Sequence, residues 1–177
     1  MSLISGFLQL TILVGSCCDP YGINRGNKKE HFVNIIKYAE QKKQDPYELL
    51  AIAITESSLK PNAYSRTKDV GLFQVNCRWW YKKFGYSTIK KCEASLKDPH
   101  LNMKKGVYIL NHFRNTYKQC QGNNAYRCYN GGQGWYRSKN KDKIIRYEKK
   151  VRERKSILKK YYGETIEELR ERYKNRS

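Results

Sequence analysis

One glutamate occupies a helix position where a core residue is expected. Leu49, Ile52 and Ala53 recur at the spacing of one helical face, and Glu56 takes the next place on it. Burial disfavours an ionised carboxylate and raises its pKa, as does the negative end of a helix. A carboxylic acid protonated near neutral pH can protonate a glycosidic oxygen. The pattern makes Glu56 a candidate general acid, although a glutamate that faces solvent or pairs with lysine has the same spacing.

A second catalytic carboxylate is not evident. Glycosidases that retain or invert configuration use two carboxylates at a fixed separation. Asp69, Glu93 and Asp98 are present, but none has a spacing that ties it to Glu56. Asp69 is the first alternative partner. We expect no metal and no cofactor, because the three histidines lack ligand spacing and no C-x-x-C pair occurs.

The elements that must position Glu56 are predicted to be helices. Asp45 is a good N-cap, Pro46 suits the first helical position, and Glu48 completes a capping-box pattern. Period-2 alternation is almost absent, so the chain is predicted to be mainly α. The predicted helices span residues 28–43, 46–58, 101–117 and 141–162, with Gly163 as a break before a last short helix capped by Thr165 and Glu168. The segment 62–74 is predicted to be loop or short extended structure, and the segment 121–134 is predicted to be loop, with a helix that begins near Asn124 as the alternative.

The length, composition and charge of the chain limit the classes of function that it can have. The 177 residues suggest one domain, and 39% hydrophobic content excludes a polytopic membrane protein. Thirty-six basic and 16 acidic residues give a net charge of +20, which attracts polyanions such as nucleic acid, lipid headgroups or wall polymers. No nucleic-acid recognition motif accompanies the charge. A soluble surface from a lysine-rich proteome would carry the same charge.

The beginning of the chain and the cysteines suggest export. Residues 3–14 are mostly apolar and too few for a spanning helix, so residues 1–18 are predicted as a signal peptide or a lipoprotein leader with Cys17 acylated. No positive charge precedes them, and a buried N-terminal helix is the alternative. Four further cysteines allow three pairings or four free thiols. Their even number and short separations favour Cys77–Cys92 and Cys120–Cys128.

Five sequence blocks in order resemble the soluble lytic transglycosylase catalytic domain, closest to its conjugation-associated and phage members. The first is the Ala-Ile helix that ends in Glu56-Ser57, followed by Pro61-Asn62-Ala63 and Ser65. The others follow over about residues 32–151. They are Gly71-Leu72-Phe73-Gln74, Asp98-Pro99-His100-Leu101-Asn102, Cys128-Tyr129-Asn130-Gly131-Gly132, and Tyr147 with Val151.

The resemblance implies a lysozyme-like single domain over residues 28–155. The many charged residues that follow predict a basic helical C-terminal extension over 156–177. It implies cleavage of the β-1,4 bond between N-acetylmuramic acid and N-acetylglucosamine in peptidoglycan. In the family one glutamate, here Glu56, acts first as acid and then as base. The products are 1,6-anhydromuramyl ends. A lysozyme-type hydrolase of the same bond is the nearest alternative, and a basic nucleic-acid or wall-binding protein without catalysis is the alternative of another class.

The resemblance also implies substrate-binding residues. Ser57 is implied to hydrogen-bond or position Glu56, Gln74 to bind sugar, and Tyr147 to place its hydroxyl near Glu56. Tyr129 and Asn130 are implied to flank the cleft. Phe73 replaces the family's Met and Cys128 replaces its Ala. Trp79 and Trp80 offer sugar-stacking faces, and one of them is expected in the core.

The expected partners are peptidoglycan glycan strands, with anionic wall polymers or lipid headgroups as further candidates for the basic surface. Nucleic acid is not favoured, and a monomer is expected. The expected location is the periplasm or cell envelope, with anchoring through Cys17 as one form of export.

Overall fold

The computed structural model describes residues 18–174, and these are mostly helical, as predicted. The chain forms a bundle of helices with one small hairpin, β1 (Asp69–Val70) and β2 (Val75–Asn76), which pair antiparallel. The first two helices agree with the prediction to within two residues. The helices are α1 (Lys28–Gln41), α2 (Pro46–Ser57), α3 (Cys77–Trp80), α4 (Ile89–Ser95), α5 (Pro99–Thr116), α6 (Asn124–Gly131) and α7 (Lys141–Lys174).

Helix α2 is the central element. Every side chain from Leu49 to Ile54 is buried, and α2 packs against α1 and α7. The Asp45 carboxylate accepts hydrogen bonds from the backbone N–H groups of Tyr47 (2.9 Å) and Glu48 (3.3 Å), which confirms Asp45 as the N-cap. The capping-box role predicted for Glu48 is wrong, because its carboxylate binds Arg114 instead. Burial on all faces means that α2 is core rather than a surface helix.

Helix α7 runs through the predicted break at Gly163. Its 34 residues continue to Lys174, so the separate last helix capped by Thr165 is wrong. Glycine costs about 1 kcal/mol in a helix interior, whereas burying one large apolar side chain gains about 1.5–3 kcal/mol. The side chains buried beyond residue 156 are those of Leu158, Tyr162, Ile166 and Leu169. Their packing outweighs the glycine, and the segment predicted as an extension lies within α7 as far as Lys174.

Two disulfides tie short elements together. Cys77–Cys92 joins α3 to α4, and Cys120–Cys128 joins a 3-10 turn, Lys118–Cys120, to α6. Both predicted pairings are therefore confirmed. The predicted leader and the Cys17 anchor fall almost entirely outside the described residues. Within residues 18–174, no helix has both the length and the apolar composition needed to cross a membrane.

Candidate active site

Glu56 lies in the last turn of α2 and meets α7. The Tyr147 hydroxyl donates a hydrogen bond to Oε1 of Glu56 at 2.5 Å, although the two residues are 91 positions apart in the chain. Burial of the carboxyl group raises the pKa of Glu56 from 4.5 to about 7, and the negative charge of Asp69 adds to this. The Tyr147 hydrogen bond and the positive charge of Arg154 act in the opposite direction. Glu56 can therefore hold a proton or release it near neutral pH.

Two partly buried tyrosines, Tyr147 and Tyr129, lie close to this carboxyl. Burial, with the nearby negative charge of Glu56, raises the pKa of both Tyr147 and Tyr129 well above 10. Both phenols therefore stay protonated at neutral pH and donate. The Tyr129 hydroxyl donates to the backbone carbonyl of Phe73 at 2.7 Å, so α6 holds the loop that carries Gln74.

Ser57 does not bind Glu56. Its hydroxyl contacts the backbone carbonyls of Leu72 at 2.9 Å and of Ala53 at 3.1 Å. Because Ser57 is buried and links the end of α2 to the 71–74 loop, it fixes the position of that loop relative to Glu56. Its effect on Glu56 is through the backbone rather than through a direct hydrogen bond.

Gln74 ends the same loop in a left-handed backbone conformation, with φ of 44°. Its side-chain NH₂ donates to the carbonyls of Gly71 (2.9 Å) and Ala63 (3.2 Å). These two bonds orient the amide and leave its oxygen as the atom that a sugar hydroxyl or N–H can reach. A non-glycine residue with positive φ is uncommon, and such residues cluster at functional sites.

Asn102 is a supporting residue to which the sequence analysis gave no role. Its side chain is fully buried, donates to the carbonyls of Val70 (2.7 Å) and Leu96 (3.1 Å), and accepts from the N–H of Phe73 (2.9 Å). Gly71 must be glycine here, because φ is 77° and a Cβ would lie 2.4 Å from the Asn102 amide. The sequence did contain a signal for this residue, because Asn102 is the last residue of the block that begins with Asp98-Pro99.

Arg154 is a second residue that the sequence analysis missed. It follows Tyr147 by seven positions on α7, so both side chains lie on one face of the helix. Its Nη1 is buried without a hydrogen-bond partner among residues 18–174. Nothing in the local sequence distinguishes Arg154 from the many basic residues around it; only the path of α7 past Glu56 does.

Asp69 is held within the hairpin. Its carboxylate accepts hydrogen bonds from the hydroxyls of Ser65 (2.6 Å) and Thr67 and from the side-chain NH₂ of Asn76 (2.6 Å). Both oxygens are therefore engaged, which leaves Asp69 poorly placed to activate a water molecule. Asp98, another carboxylate from the sequence, caps α5 by accepting from the N–H of Leu101 at 2.6 Å.

The remaining predicted residues divide between surface and core. Asn130 is exposed near the end of α6, next to Tyr129. Trp79 is 75% exposed, whereas Trp80 is partly buried and packs against the core through Phe84 and Phe113. Among residues 18–174, no group of three or more His, Cys, Asp or Glu side chains is arranged to hold a metal ion.

A comparison with protein families identifies the family of the chain. A model of the transglycosylase SLT domain matches residues 33–152, more than half of the chain, and spans every residue of the site from Glu56 to Tyr147. Neither the curated proteins nor the solved structures gave a match. The mainly α, lysozyme-like chain therefore belongs to the transglycosylase SLT domain family, which implies peptidoglycan lytic transglycosylase activity.

Proposed function

We propose that this protein cleaves the β-1,4 bond between N-acetylmuramic acid and N-acetylglucosamine and leaves 1,6-anhydromuramyl ends. The observation that carries the proposal is Glu56 bound to Tyr147, with a pKa near 7. A carboxyl that gives a proton in one step and takes one in the next works best with a pKa near the working pH. The pKa of Glu56, about 7, meets this condition.

The reaction proceeds in two proton transfers. Protonated Glu56 gives its proton to the glycosidic oxygen as the bond from that oxygen to C1 of the muramic acid breaks. The resulting carboxylate then takes the proton from the C6 hydroxyl of the same sugar, whose oxygen bonds to C1 and closes the anhydro ring. No water is consumed, and Glu56 ends the cycle protonated, as it began.

The substrate-binding residues contribute position and polarity. Tyr147 donates to Glu56 and stabilises the carboxylate formed between the two steps. The Gln74 amide oxygen and the exposed Asn130 side chain are assigned to sugar hydroxyls and acetamido groups, and Ser57 and Tyr129 hold the loop between them. The engaged state of Asp69 favours this one-carboxylate scheme over hydrolysis.

The product distinguishes the transglycosylase from a hydrolase. Purified peptidoglycan is digested in water enriched in heavy oxygen, and the fragments are analysed by mass spectrometry. We expect anhydromuramyl ends without the label, because the C6 hydroxyl supplies the attacking oxygen. Reducing muramic acid ends that carry the label would identify a hydrolase with the same fold.

Export to the cell envelope fits the same scheme. Two disulfides within the described residues are typical of oxidising compartments, and the substrate lies outside the cytoplasm. The exposed basic side chains of α7 would hold the enzyme on anionic wall polymers or lipid headgroups. Cosedimentation with sacculi should then fall as salt rises. Binding that is independent of salt would leave the charge with no role in attachment.

A further inference from the structure

A cavity opens between α6 and α7, in a part of the molecule that the proposed reaction does not use. Its volume is about 450 Å³, within the range of about 300–1,000 Å³ usual for ligand sites. Asn123, just before α6, and Tyr126 line one side, and α7 supplies Ser156 and several charged residues on the other. None of the described residues that line this cavity, which we name the α6–α7 cavity, is aliphatic. A polar ligand therefore fits it better than an apolar one.

Basic side chains dominate the wall that α7 contributes to the cavity. There are four of them, Lys149, Arg152, Lys155 and Lys159. Positions 149, 152, 156 and 159 recur at intervals of three and four residues, so they share one face of the helix. Glu153 is the carboxylate among the described residues that line the cavity, so one negative charge faces four positive charges. The lining predicts an anionic ligand.

Two of these cations are paired with carboxylates, and two are not. Arg152 and Lys155 each form an ion pair within the chain, at 3.4 and 2.5 Å. Lys149 and Lys159 are exposed and form no ion pair within residues 18–174, although the Lys159 ammonium lies over the Tyr47 ring. The two lysines are ten positions apart, about 15 Å along the helix axis at about 1.5 Å per residue. An extended ligand with several negative charges matches this spacing better than a single small anion.

We propose that the α6–α7 cavity binds the phosphodiester groups of an anionic polymer attached to the cell wall. The identity of the polymer rests on the proposed function, in which the enzyme works on the wall. The phosphates pair with Lys149 and Lys159, and Arg152, whose side chain is 60% exposed, offers further N–H donors. The Ser156 hydroxyl and the Asn123 amide suit the hydroxyl groups that lie between the phosphates.

The shape and the lining of the cavity favour a polymer over a membrane or a nucleic acid. A bilayer surface is engaged by helices that carry apolar side chains opposite the basic ones, whereas this site is concave and lined mainly by polar residues. Single-stranded nucleic acid is bound by stacking its bases on exposed aromatic rings. Tyr126, the aromatic residue in the wall, is 3% exposed and donates its hydroxyl to Glu48. A flexible chain of phosphates needs neither feature.

The cavity lies at the opposite end of α2 from Glu56. Tyr126 in its wall bonds to Glu48, and Lys155 pairs with Asp45, the N-cap of α2. Glu56 is eight residues beyond Glu48, which is about 12 Å along the helix. A polymer held in the cavity would therefore leave the candidate active site open. The site would retain the enzyme on the wall between cuts without competing with the glycan strand.

The test measures binding of a soluble poly(glycerol phosphate) chain, which has no bond that the enzyme is proposed to cleave. The variant is Lys149→Gln with Lys159→Gln. The matched control is Lys83→Gln with Lys104→Gln, which removes the same charge from exposed positions that do not line the cavity. We expect the cavity variant to weaken binding about three- to tenfold and the control to weaken it less than about twofold. The slope of log affinity against log salt should become shallower by about one to two in the cavity variant.

Two further variants test the cavity itself. Ser156→Trp fills it without altering charge and should weaken binding by a similar factor. Glu153→Gln removes its carboxylate and should strengthen binding. Equal loss in the lysine variant and the control, or native affinity in Ser156→Trp, would overturn the proposal, because the polymer would then follow net charge alone.

Other phosphate-bearing probes separate the possible sources of the phosphate. The native chain and the lysine variant are assayed with inorganic phosphate, with vesicles that contain phosphatidylglycerol and with a DNA duplex. We expect each to bind the cavity more weakly than the polymer at equal phosphate concentration. Tighter binding of vesicles or DNA that is lost in the lysine variant would assign the cavity to that partner and overturn the polymer. Inorganic phosphate that displaces the polymer at equal phosphate concentration would identify a single-anion site and would also overturn it.

Cleavage is measured separately, on soluble glycan strands that carry no polymer. The lysine variant should keep the native kcat and KM on these strands, because the cavity is remote from Glu56. A preparation that binds the polymer through the cavity but cleaves nothing would support this site and refute the proposed function. An active preparation whose lysine variant binds the polymer as tightly as the native chain would refute this site alone.

Discussion

Two glutamates of α2 have opposite surroundings. Glu48, near the start of the helix, accepts two hydrogen bonds from the guanidinium of Arg114 (2.7 and 3.2 Å) and one from the Tyr126 hydroxyl (2.7 Å). Glu56, eight residues later, accepts one from Tyr147 and has no cation within hydrogen-bond distance among the described residues. The same residue type on one helix is fully compensated at one end and left uncompensated at the other.

The difference shows how a helical bundle can make one carboxyl structural and another reactive. A bidentate arginine pairs with the carboxylate of Glu48 and joins α2 to α5. A lone phenol, which is neutral, cannot offset the cost of burying the Glu56 charge, so its pKa rises to about 7. Variants at each site should therefore separate stability from catalysis.

Glu56→Gln should have the largest effect. Loss of the only acid and base should lower the cleavage rate by about 10²–10⁴-fold, while the fold is retained. The variant should also be more stable than the native chain at pH 7. Between its unfolded pKa of 4.5 and its folded pKa of about 7, Glu56 binds more protons in the folded state, so native stability falls as pH rises through this range. Turnover assays and denaturant unfolding at pH 4.5 and 7 measure both effects, and near-native turnover would refute the assignment.

Glu48→Gln should reverse this pattern. Loss of the charge-assisted hydrogen bonds to Arg114 and Tyr126 should lower the free energy of unfolding by about 1.5–3 kcal/mol. The rate per folded molecule should change little, because Glu48 lies at the other end of α2. Urea unfolding and kcat of the folded fraction check the prediction. A large loss of kcat with unchanged stability would place Glu48 in the catalytic machinery instead.

Tyr147→Phe should have an intermediate effect. The ring stays in place while one hydrogen bond to Glu56 is lost, so we expect a rate reduction of about five- to thirtyfold. The bond lowers the pKa of Glu56, so its loss should move the alkaline decline in activity to higher pH. The pH–rate profile of the variant tests this, with Tyr161→Phe on the exposed face of α7 as the matched control.

Arg154→Met and Asp69→Asn should give the smallest effects, with opposite signs. The Arg154 charge lowers the pKa of Glu56 and the Asp69 charge raises it. The acid step requires protonated Glu56, so activity falls as pH rises through its pKa. The Arg154 variant should keep activity to higher pH, and the Asp69 variant should lose it at lower pH. Shifts in the same direction in both variants would contradict the electrostatic account.

The elements with strong local sequence signals are predicted well. Asp45 with Pro46 marks the start of α2, and the block that contains Glu56 identifies the helix that carries the candidate active site. The apolar stripe of α2 does not by itself identify the face that meets the core, because α2 is buried on every side. Helices α3 and α4 have four and seven residues, too few for a hydrophobic period, and depend on caps by Asn76 and Thr88 and on a disulfide.

The contacts across the site depend on the tertiary fold, which local sequence does not encode. Gly163 was expected to end a helix, but Tyr162 just before it packs into the core and donates its hydroxyl to Asp19 at 2.5 Å. Ile166 just after it is also buried, so the helix is secured on both sides of the glycine. Arg154 differs from its basic neighbours only through the packing of α7. The resemblance indicated Tyr147 beside Glu56, whereas spacing along the chain could not.

The distance in sequence between Glu56 and Tyr147 has a consequence for biosynthesis. Their contact joins residues 91 positions apart, and translation adds about 5–20 residues per second. Helix α2 is therefore made several seconds before the helix that completes the candidate active site. A nascent or truncated chain that lacks α7 holds the Glu56 carboxyl but not its hydroxyl partner. An unfinished molecule should therefore be unable to cut the wall, so cleavage begins only when nearly all of the chain has been made and folded.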